Sequence, residues 1–418
     1  MIQTIQLTQG VTLQCFPDRR FKQGCLSVQL LRPMCREEAA LGALLPAILL
    51  RGCKSAPDLR DITLRLDDLY GASVGALVRR VGDYQTTGLY CSFMEDKYAL
   101  DSDAILEPMV DFLKELLFDP VLENGVFRRE YVESEKKNLI SAIESQRNDK
   151  RVYASGQLLR HMCHNDSFGI PRLGEIAQVS AITAESLYDH YQKILQESPV
   201  LLFYVGSAQP QQVADLLRPL FENPRQMVLP PQTGFCDPAG GEHTETMDVT
   251  QGRLCMGFVT PITTRDEDFV AMQMCNLLFG GGMTSKLFMN VREKLSLCYD
   301  IGSGYHGSKG ILAVTAGIDC AQEALTRQEI LTQLEACRAG EFTREEFISA
   351  QQALMSQLQG LHDSPGAIEG YYATGFLSGL NLTPEQYMQA VEAVTPEKVA
   401  EVAGSISLHT VYFLKGGQ

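Results

Sequence analysis

Residues 280–305 read GGGMTSKLFMNVREKLSLCYDIGSGY. Immediately before them, Val270, Met274, Leu277 and Leu278 fall at i, i+4, i+7 and i+8, one face of a helix, which Gly280 can cap. The glycine run therefore follows a helix and not a strand. It meets neither the G-x-x-x-x-G-K-[ST] nor the G-x-G-x-x-G spacing. Helix termination with close backbone packing is expected here in place of a phosphate loop. A second helical stretch, 284–294, then leads through LSLCY (295–299) to a strand at 311–316.

Working outward, the same order occurs earlier in the chain. LGALLPAILLRG (41–52) precedes LDDLY (66–70) and a strand at 86–93, as VAMQMCNLLFGG (270–281) precedes LSLCY and 311–316. Tyr70 and Tyr299 are 229 apart (299 − 70), as are Gly52 and Gly281. FRREYVESEKKNL (127–139) echoes TREEFISAQQALM (343–355) at an offset of 216 (343 − 127). Ordered echoes of this length predict a duplicated domain, not a solenoid. The intervening residues 223–241 include seven Pro or Gly and show no apolar period. They divide the chain into an N-terminal domain 1–222, a linker 223–241 and a C-terminal domain 242–418.

Strand-like segments at 26–30, 86–93, 200–205, 254–259, 311–316 and 410–414 alternate irregularly with helical stretches at 101–118, 127–146, 184–195, 266–279, 284–294 and 343–360. Adjacent strands favour α+β layers over a doubly wound parallel sheet.

Composition narrows the function. The 418 residues carry 36 Lys and Arg against 51 Asp and Glu, a net charge of −15, and no basic run. Nucleic acid and anionic membrane surfaces are therefore poor partners. MIQTIQLTQG has neither a cationic nor an apolar leader segment, and the longest apolar run, 41–50, contains a proline. A cytoplasmic location is expected. The 12 cysteines form no C-x-x-C pair and read as small buried hydrophobes. His161 and His164 stand at i, i+3, but no third ligand lies nearby, so they read as surface histidines.

The stretch 280–305 closely resembles the second domain of the insulinase-like zinc peptidases, the M16 family, in its glycine run, Ser, Lys, Leu-Phe, Arg-Glu-Lys and following Tyr. GVTLQCFPDRR (10–20), ALLPAILLRGCKSAPD (43–58), ENGVFRREYVESEKKNLISAIESQRND (123–149) and SFGIPRLGEIAQVSAITAESLYDHY (167–191) fall into register with the same family. The resemblance covers nearly the whole chain. It implies two duplicated M16-type (LuxS/metallohydrolase-like) α+β domains, each a mostly antiparallel sheet covered by helices, facing each other across a cleft.

Active members carry His-x-x-Glu-His, where two imidazoles hold zinc and the glutamate serves the metal-bound water as base. A distant glutamate completes the set. Alignment on Gly52 puts Ala43, Pro46 and Ala47 at the motif positions, and alignment on Glu135 puts Ala142 at the third-ligand position. None of these side chains has a lone pair, and no histidine occurs before residue 161. The resemblance thus implies a chain that is not a peptidase alone, needs no cofactor and leaves zinc to another subunit.

The family's second domain presents an arginine and a tyrosine, seven apart, to the bound peptide, and Arg292 and Tyr299 match that pattern. Without the family they would read as an exposed helix arginine and a core tyrosine. Lys286 and Glu293 read as solvated helix faces. The expectation is a non-catalytic subunit of a heterodimer with a zinc-bearing M16 peptidase, supplying Arg292, Tyr299 and cleft walls to a peptide substrate. The division of labour resembles that between mitochondrial processing peptidase subunits and, more loosely, partner proteins associated with elongation factor P modification. The alternative is a structural or peptide-binding scaffold without any peptidase activity.

Overall fold

The computed structural model describes residues 2–417. The first repeat supplies β1 (Gln3–Thr8), β2 (Val11–Pro17), β3 (Gln23–Pro33), β4 (Ser73–Val81), β5 (Tyr84–Met94), a two-residue ribbon β6 (Leu122–Glu123) and β7 (Val126–Phe127), and β8 (Val200–Gly206). Its helices are α1 (Arg36–Leu49), α2 (Leu59–Asp68), α3 (Leu106–Phe118), α4 (Arg129–Asn148), α5 (Lys150–Met162), α6 (Ile176–Ala181), α7 (Ala184–Glu197) and α8 (Pro210–Leu217). The main sheet runs β1-β2-β8-β3-β5-β4 and is antiparallel except for the β2/β8 pair. Alternation along β3 decides its two faces. Leu26, Val28 and Leu30 join Leu89 and Cys91 of β5 in a core with Leu44, Leu45 and Ile48 of α1 and Phe112 and Leu116 of α3. Ser27 and Gln29 turn to the other face.

The second repeat supplies β9 (Gly241–Met247), β10 (Gly252–Val259), β11 (Cys298–His306), β12 (Ile311–Ile318) and β13 (Ser407–Gly416). Helix α9 (Phe269–Asn276) widens into a π-helical turn, Leu277–Gly281, and a second π-helical segment spans Leu287–Lys294. They are followed by α10 (Glu323–Arg338), α11 (Arg344–Gly360), α12 (Pro365–Ser378), α13 (Pro384–Ala393) and α14 (Pro396–Gly404). The sheet order is β11-β12-β10-β13-β9, antiparallel except for β13/β9. Laying β9 on β2, β13 on β8, β10 on β3, β12 on β5 and β11 on β4 reproduces both the order and the single parallel pair. The duplication read from three sequence echoes is a duplication of topology, and the α+β assignment holds.

The compact units do not follow the sequence halves. One unit takes residues up to Glu144, Ile170–Pro231 and His362–Thr374; the other takes Ser145–Gly169, Gln232–Leu361 and the chain from Gly375 onward. A cut at 222/242 therefore misplaces two segments, 145–169 and 362–374. Ala154 and Leu158 of α5 pack with Cys255, Ala313, Tyr412 and Leu414 of the second sheet. Reciprocally, Tyr372 of α12 stacks near Phe16 and Phe203 of the first. Glu369 of α12, fully buried, accepts from Ser27 Oγ (2.8 Å) and Gln29 Nε2 (2.9 Å) and pairs with Arg79 Nη2 (2.8 Å). An apolar helix face states that it must be covered, but not by which of two similar sheets. Residues 223–240 form no helix or strand. They are nonetheless held, Arg225 N–H donating to the Gln9 carbonyl and Phe235 N–H to that of Lys309, both at 2.8 Å.

Candidate functional site

The four positions that the sequence alignment sets against the M16 zinc ligands and base, Ala43, Pro46, Ala47 and Ala142, lie on α1 and α4. Ala43 and Pro46 are buried, Ala47 is half-buried and Ala142 is exposed. Proline inside a helix removes a donor and orphans the carbonyl four residues earlier. Here that carbonyl, Gly42 O, accepts instead from Thr87 Oγ of β5 at 2.5 Å. Gln85 Nε2, two residues back on the same strand, donates to Ala39 O at 3.0 Å. Strand β5 thus completes the helix that Pro46 interrupts.

Arg51, just beyond α1, joins it to α4. Its Nε lies 2.6 Å from Glu135 Oε1, its Nη2 donates to Ser134 Oγ at 2.6 Å, and its guanidinium sits 5.3 Å from the Tyr131 ring centroid. Zinc does not fit this place, because a methyl or a pyrrolidine ring donates no electron pair to a metal. Among the described residues no group of three or more His, Cys, Asp or Glu is arranged to hold a metal ion.

The second place is built at the start of β11. The π-helical segment ends at Lys294, and the chain reverses through Ser296 at φ +53°, the left-handed conformation that closes helix C-termini. Leu297 N–H reaches back to Val291 O at 3.0 Å and Ser296 N–H to Arg292 O at 3.1 Å. This reversal brings Arg292 beside Tyr299. Arg292 Nε donates to the Tyr299 carbonyl at 2.9 Å, its Nη1 lies 3.1 Å from Glu293 Oε1, and its Cζ sits 4.5 Å from the Phe288 ring centroid.

What these contacts leave over matters chemically. Arg292 Nη2 and the Tyr299 hydroxyl have no partner among the described residues, and Tyr299 is 59% exposed. A phenol and half of a guanidinium fork are therefore aimed at solvent from a braced mount. The core-tyrosine alternative does not hold. Such donors grip a carboxylate or a peptide carbonyl, or stabilise charge developing on oxygen. Met283, Met289 and Leu295, close by in sequence, are exposed apolar side chains. Isolated in sequence, these three carry no signal of their own.

Other readings change on contact with the structure. Lys286 is not a solvated residue: it is buried, with Nζ 3.3 Å from Glu346 Oε1. His164 is exposed, but His161 stacks on His243 at 3.9 Å between centroids, and burial together with His243 holds it below the ordinary histidine range. The cysteines are unbridged, and most are buried. Burial pushes the Cys255 thiol up to about 12. Gly280 is closely packed, since a methyl there would lie 2.7 Å from Leu287 Cδ1 and Ser303 Oγ. Among the described residues no helix is long and apolar enough to cross a membrane.

Duplicated sheets of this order, with lost ligand positions in the first repeat and an arginine–tyrosine mount in the second, define an inactive M16-type peptidase. A family model described as the peptidase M16 inactive domain matches residues 181–354. The chain is 32% identical over 409 residues, covering 97% of it and 96% of the relative, to the probable inactive metalloprotease YmfF of Bacillus subtilis strain 168. It belongs to the peptidase M16 family. A conserved protein from Enterococcus faecalis V583 superposes with a TM-score of 0.93 at 31% identity, covering 100% of this chain and 99% of that one. A peptidase M16 inactive domain from Pseudomonas fluorescens, at 18% identity with 100% and 98% coverage, shares the fold with a TM-score of 0.82.

Proposed function

We propose that this chain is the non-catalytic subunit of a heterodimeric zinc peptidase, acting in the cytoplasm. It presents Arg292 and Tyr299 to a peptide whose scissile bond is attacked at the zinc of a second M16 subunit. One observation carries the reading: the first repeat has no metal donor at any of its four positions, while the second keeps two hydrogen-bond donors unengaged and braced at the surface. A protein that only filled space would gain nothing from leaving a guanidinium nitrogen and a phenol without partners.

The chain should neither retain stoichiometric zinc nor hydrolyse peptides alone, because the metal ligands and the base are missing. With a zinc-bearing M16 peptidase it should form a one-to-one complex burying at least about 1,000 Å². Co-expression with such a peptidase from the same genome, followed by light scattering and a quenched-fluorescence peptide assay, tests both statements. Separate elution at micromolar concentration, with hydrolysis indifferent to the added chain, would overturn the proposal. Chelator-sensitive turnover by the lone chain would do so as well.

A further inference from the structure

Strand β11 is an edge of the second sheet, paired only with β12, and its register against β12 breaks at one residue. Cys298 pairs with Ile318 and Asp300 with Gly317, so β11 carries one residue more than β12 between these pairs, and that residue is Tyr299. A bulge leaves its extra residue out of the ladder and re-aims the side chains beside it. It also leaves the Tyr299 carbonyl to Arg292 Nε, which donates to it at 2.9 Å. The mount that joins Arg292 to Tyr299 thus depends on the bulge.

A row of three residues on three strands adjoins the bulge. Arg253 of β10 and Asp300 of β11 both pair with Gly317 of the intervening β12. Arg253 Nη1 spans the middle strand and donates to Asp300 Oδ1 and Oδ2, both at 2.7 Å. Only glycine permits the crossing, since a methyl at Gly317 would strike both Asp300 Oδ1 and Arg253 Nη1. Gly317 has no positive φ, so close approach is the reason for it. By the alternation of a strand it shares a face with Ala313 and Thr315, which line a cavity of about 500 Å³ together with Gly302 and Gly304 of β11.

Stability does not account for this arrangement. The Asp300 side chain is 46% exposed, and ion pairs with a partner in water contribute little, while glycine within a strand weakens it. The first repeat has no such row. Its β4/β5 register runs unbroken from Ser73 opposite Ser92 to Val81 opposite Tyr84, and the residue after Tyr70 is Gly71, which has no carboxylate to pair.

We propose that Arg253 and Asp300, meeting across Gly317, are positioning residues. They hold the bulge that presents Tyr299, and the Arg292 bound to its carbonyl, to a substrate. Neither touches the substrate; each acts through Tyr299. The inference deepens the role proposed above and rests on it for any consequence in hydrolysis, whereas the hold on Tyr299 is a property of this chain alone.

The first test uses the full-length chain labelled with fluorotyrosine, in which the fluorine resonance missing from Tyr299→Phe identifies Tyr299 among the 15 tyrosines. Asp300→Asn and Arg253→Gln should each shift or broaden that resonance. Gly317→Ala, which keeps both charges and blocks their meeting, should do the same. Arg327→Gln, which breaks the ion pair with Glu242 on the opposite edge strand β9, should leave it in place. A Tyr299 resonance unmoved by both Asp300→Asn and Arg253→Gln would overturn the proposal.

The second test uses the pair reconstituted with a zinc-bearing M16 peptidase. Asp300→Asn and Arg253→Gln should lower kcat by about tenfold or more with KM nearly unchanged, as misplacement of a reacting group does. In a Tyr299→Phe background the same changes should lower it by less than about twofold further, because residues acting as one unit are not additive. Full additivity, or loss of activity through dissociation of the pair, would overturn the proposal. If Tyr299→Phe itself leaves hydrolysis unchanged, the role proposed for Tyr299 falls instead, and the fluorine spectra still decide whether Arg253 and Asp300 hold it.

Discussion

Tyr70 and Tyr299 hold equivalent places in the two repeats, each after a helical segment and at the approach to an edge strand, yet their hydroxyls end differently. Tyr70, in the left-handed region at φ +60°, donates to Asp103 Oδ2 at 2.6 Å and accepts from Leu100 N–H at 3.2 Å. The Asp103 carboxylate holds its phenol above the ordinary tyrosine range. The Tyr299 hydroxyl has no hydrogen-bond partner among the described residues. The contrast extends around each residue. In the first repeat the polar groups beside α1 are engaged: the carbonyl that Pro46 orphans accepts from Thr87, and Arg51 is tied to Glu135 and Ser134. In the second, Arg292 is braced on one side only. Two copies of one topology thus differ: the polar groups beside α1 of the first repeat are engaged within the fold, while Arg292 Nη2 and the Tyr299 hydroxyl of the second have no partner among the described residues.

This comparison breaks if mutations among the engaged groups of the first repeat alter function, or if those at Arg292 and Tyr299 alter stability. The largest effect is expected at Arg79. Its loss leaves Glu369 fully buried with only neutral donors, and uncompensated buried charges cost about 3–5 kcal/mol. Because Arg79 is one-third exposed, Arg79→Ala should fall at the low end of that range. Urea unfolding followed by far-ultraviolet circular dichroism measures it, and an unchanged midpoint would remove Glu369 as a fixing point of α12.

In the reconstituted pair, Arg292→Ala should lower kcat/KM by about 10- to 150-fold, roughly 1.5–3 kcal/mol, through loss of a charge-assisted bond. Tyr299→Phe should lower kcat by up to about 3 kcal/mol with packing kept. Neither should shift the melting temperature appreciably, change the partner's zinc content or dissociate the complex. Size-exclusion chromatography beside steady-state kinetics separates these outcomes; dissociation would make both residues interface contacts.

Thr87→Val, which keeps shape and removes the hydroxyl serving Gly42 O, should destabilise by about 1–2 kcal/mol and leave peptide hydrolysis by the pair intact. A stability-neutral result would mean that the Pro46 break is tolerated by other means.

The smallest effect is a pH dependence. Burial, aided by Arg32 and Lys193 and opposed by Glu38, pulls His190 from 6.5 down to about 4. The folded chain therefore keeps it neutral where the unfolded chain has taken up a proton. Stability should fall as pH drops from 6.5 towards 4 and then level off, because the unfolded state binds the extra proton in that window. Chemical denaturation at pH 7 and pH 5 reads the difference, and His190→Gln should remove most of it. An equal slope in the variant would assign the loss to other groups.

Much of this architecture was legible as pattern. Segments 26–30, 86–93, 200–205, 254–259, 311–316 and 410–414 all lie inside strands, because central strands are apolar on both faces or alternate cleanly. The edge strands β1, β4, β9 and β11 escaped, since their exposed, polar and glycine-bearing sequences carry no such period. Helix α1 was visible only as the apolar run 41–50, its proline masking an element that Thr87, over forty residues away, completes.

Sequence by itself determined that the chain is a duplicated M16 protein without zinc ligands, because the absence of a donor atom is a property of the residue and needs no fold. It also singled out Arg292 and Tyr299 as candidates, because their spacing is local. Tertiary structure decided the rest: that Tyr299 is exposed while Lys286 is buried, that α5 and the first turns of α12 cover the sheets of the opposite halves, and that β11 is a bare edge beside a cavity. Each of these depends on which distant surface arrives to cover a group, and amphipathic patterns encode the need for a cover without naming the element that supplies it.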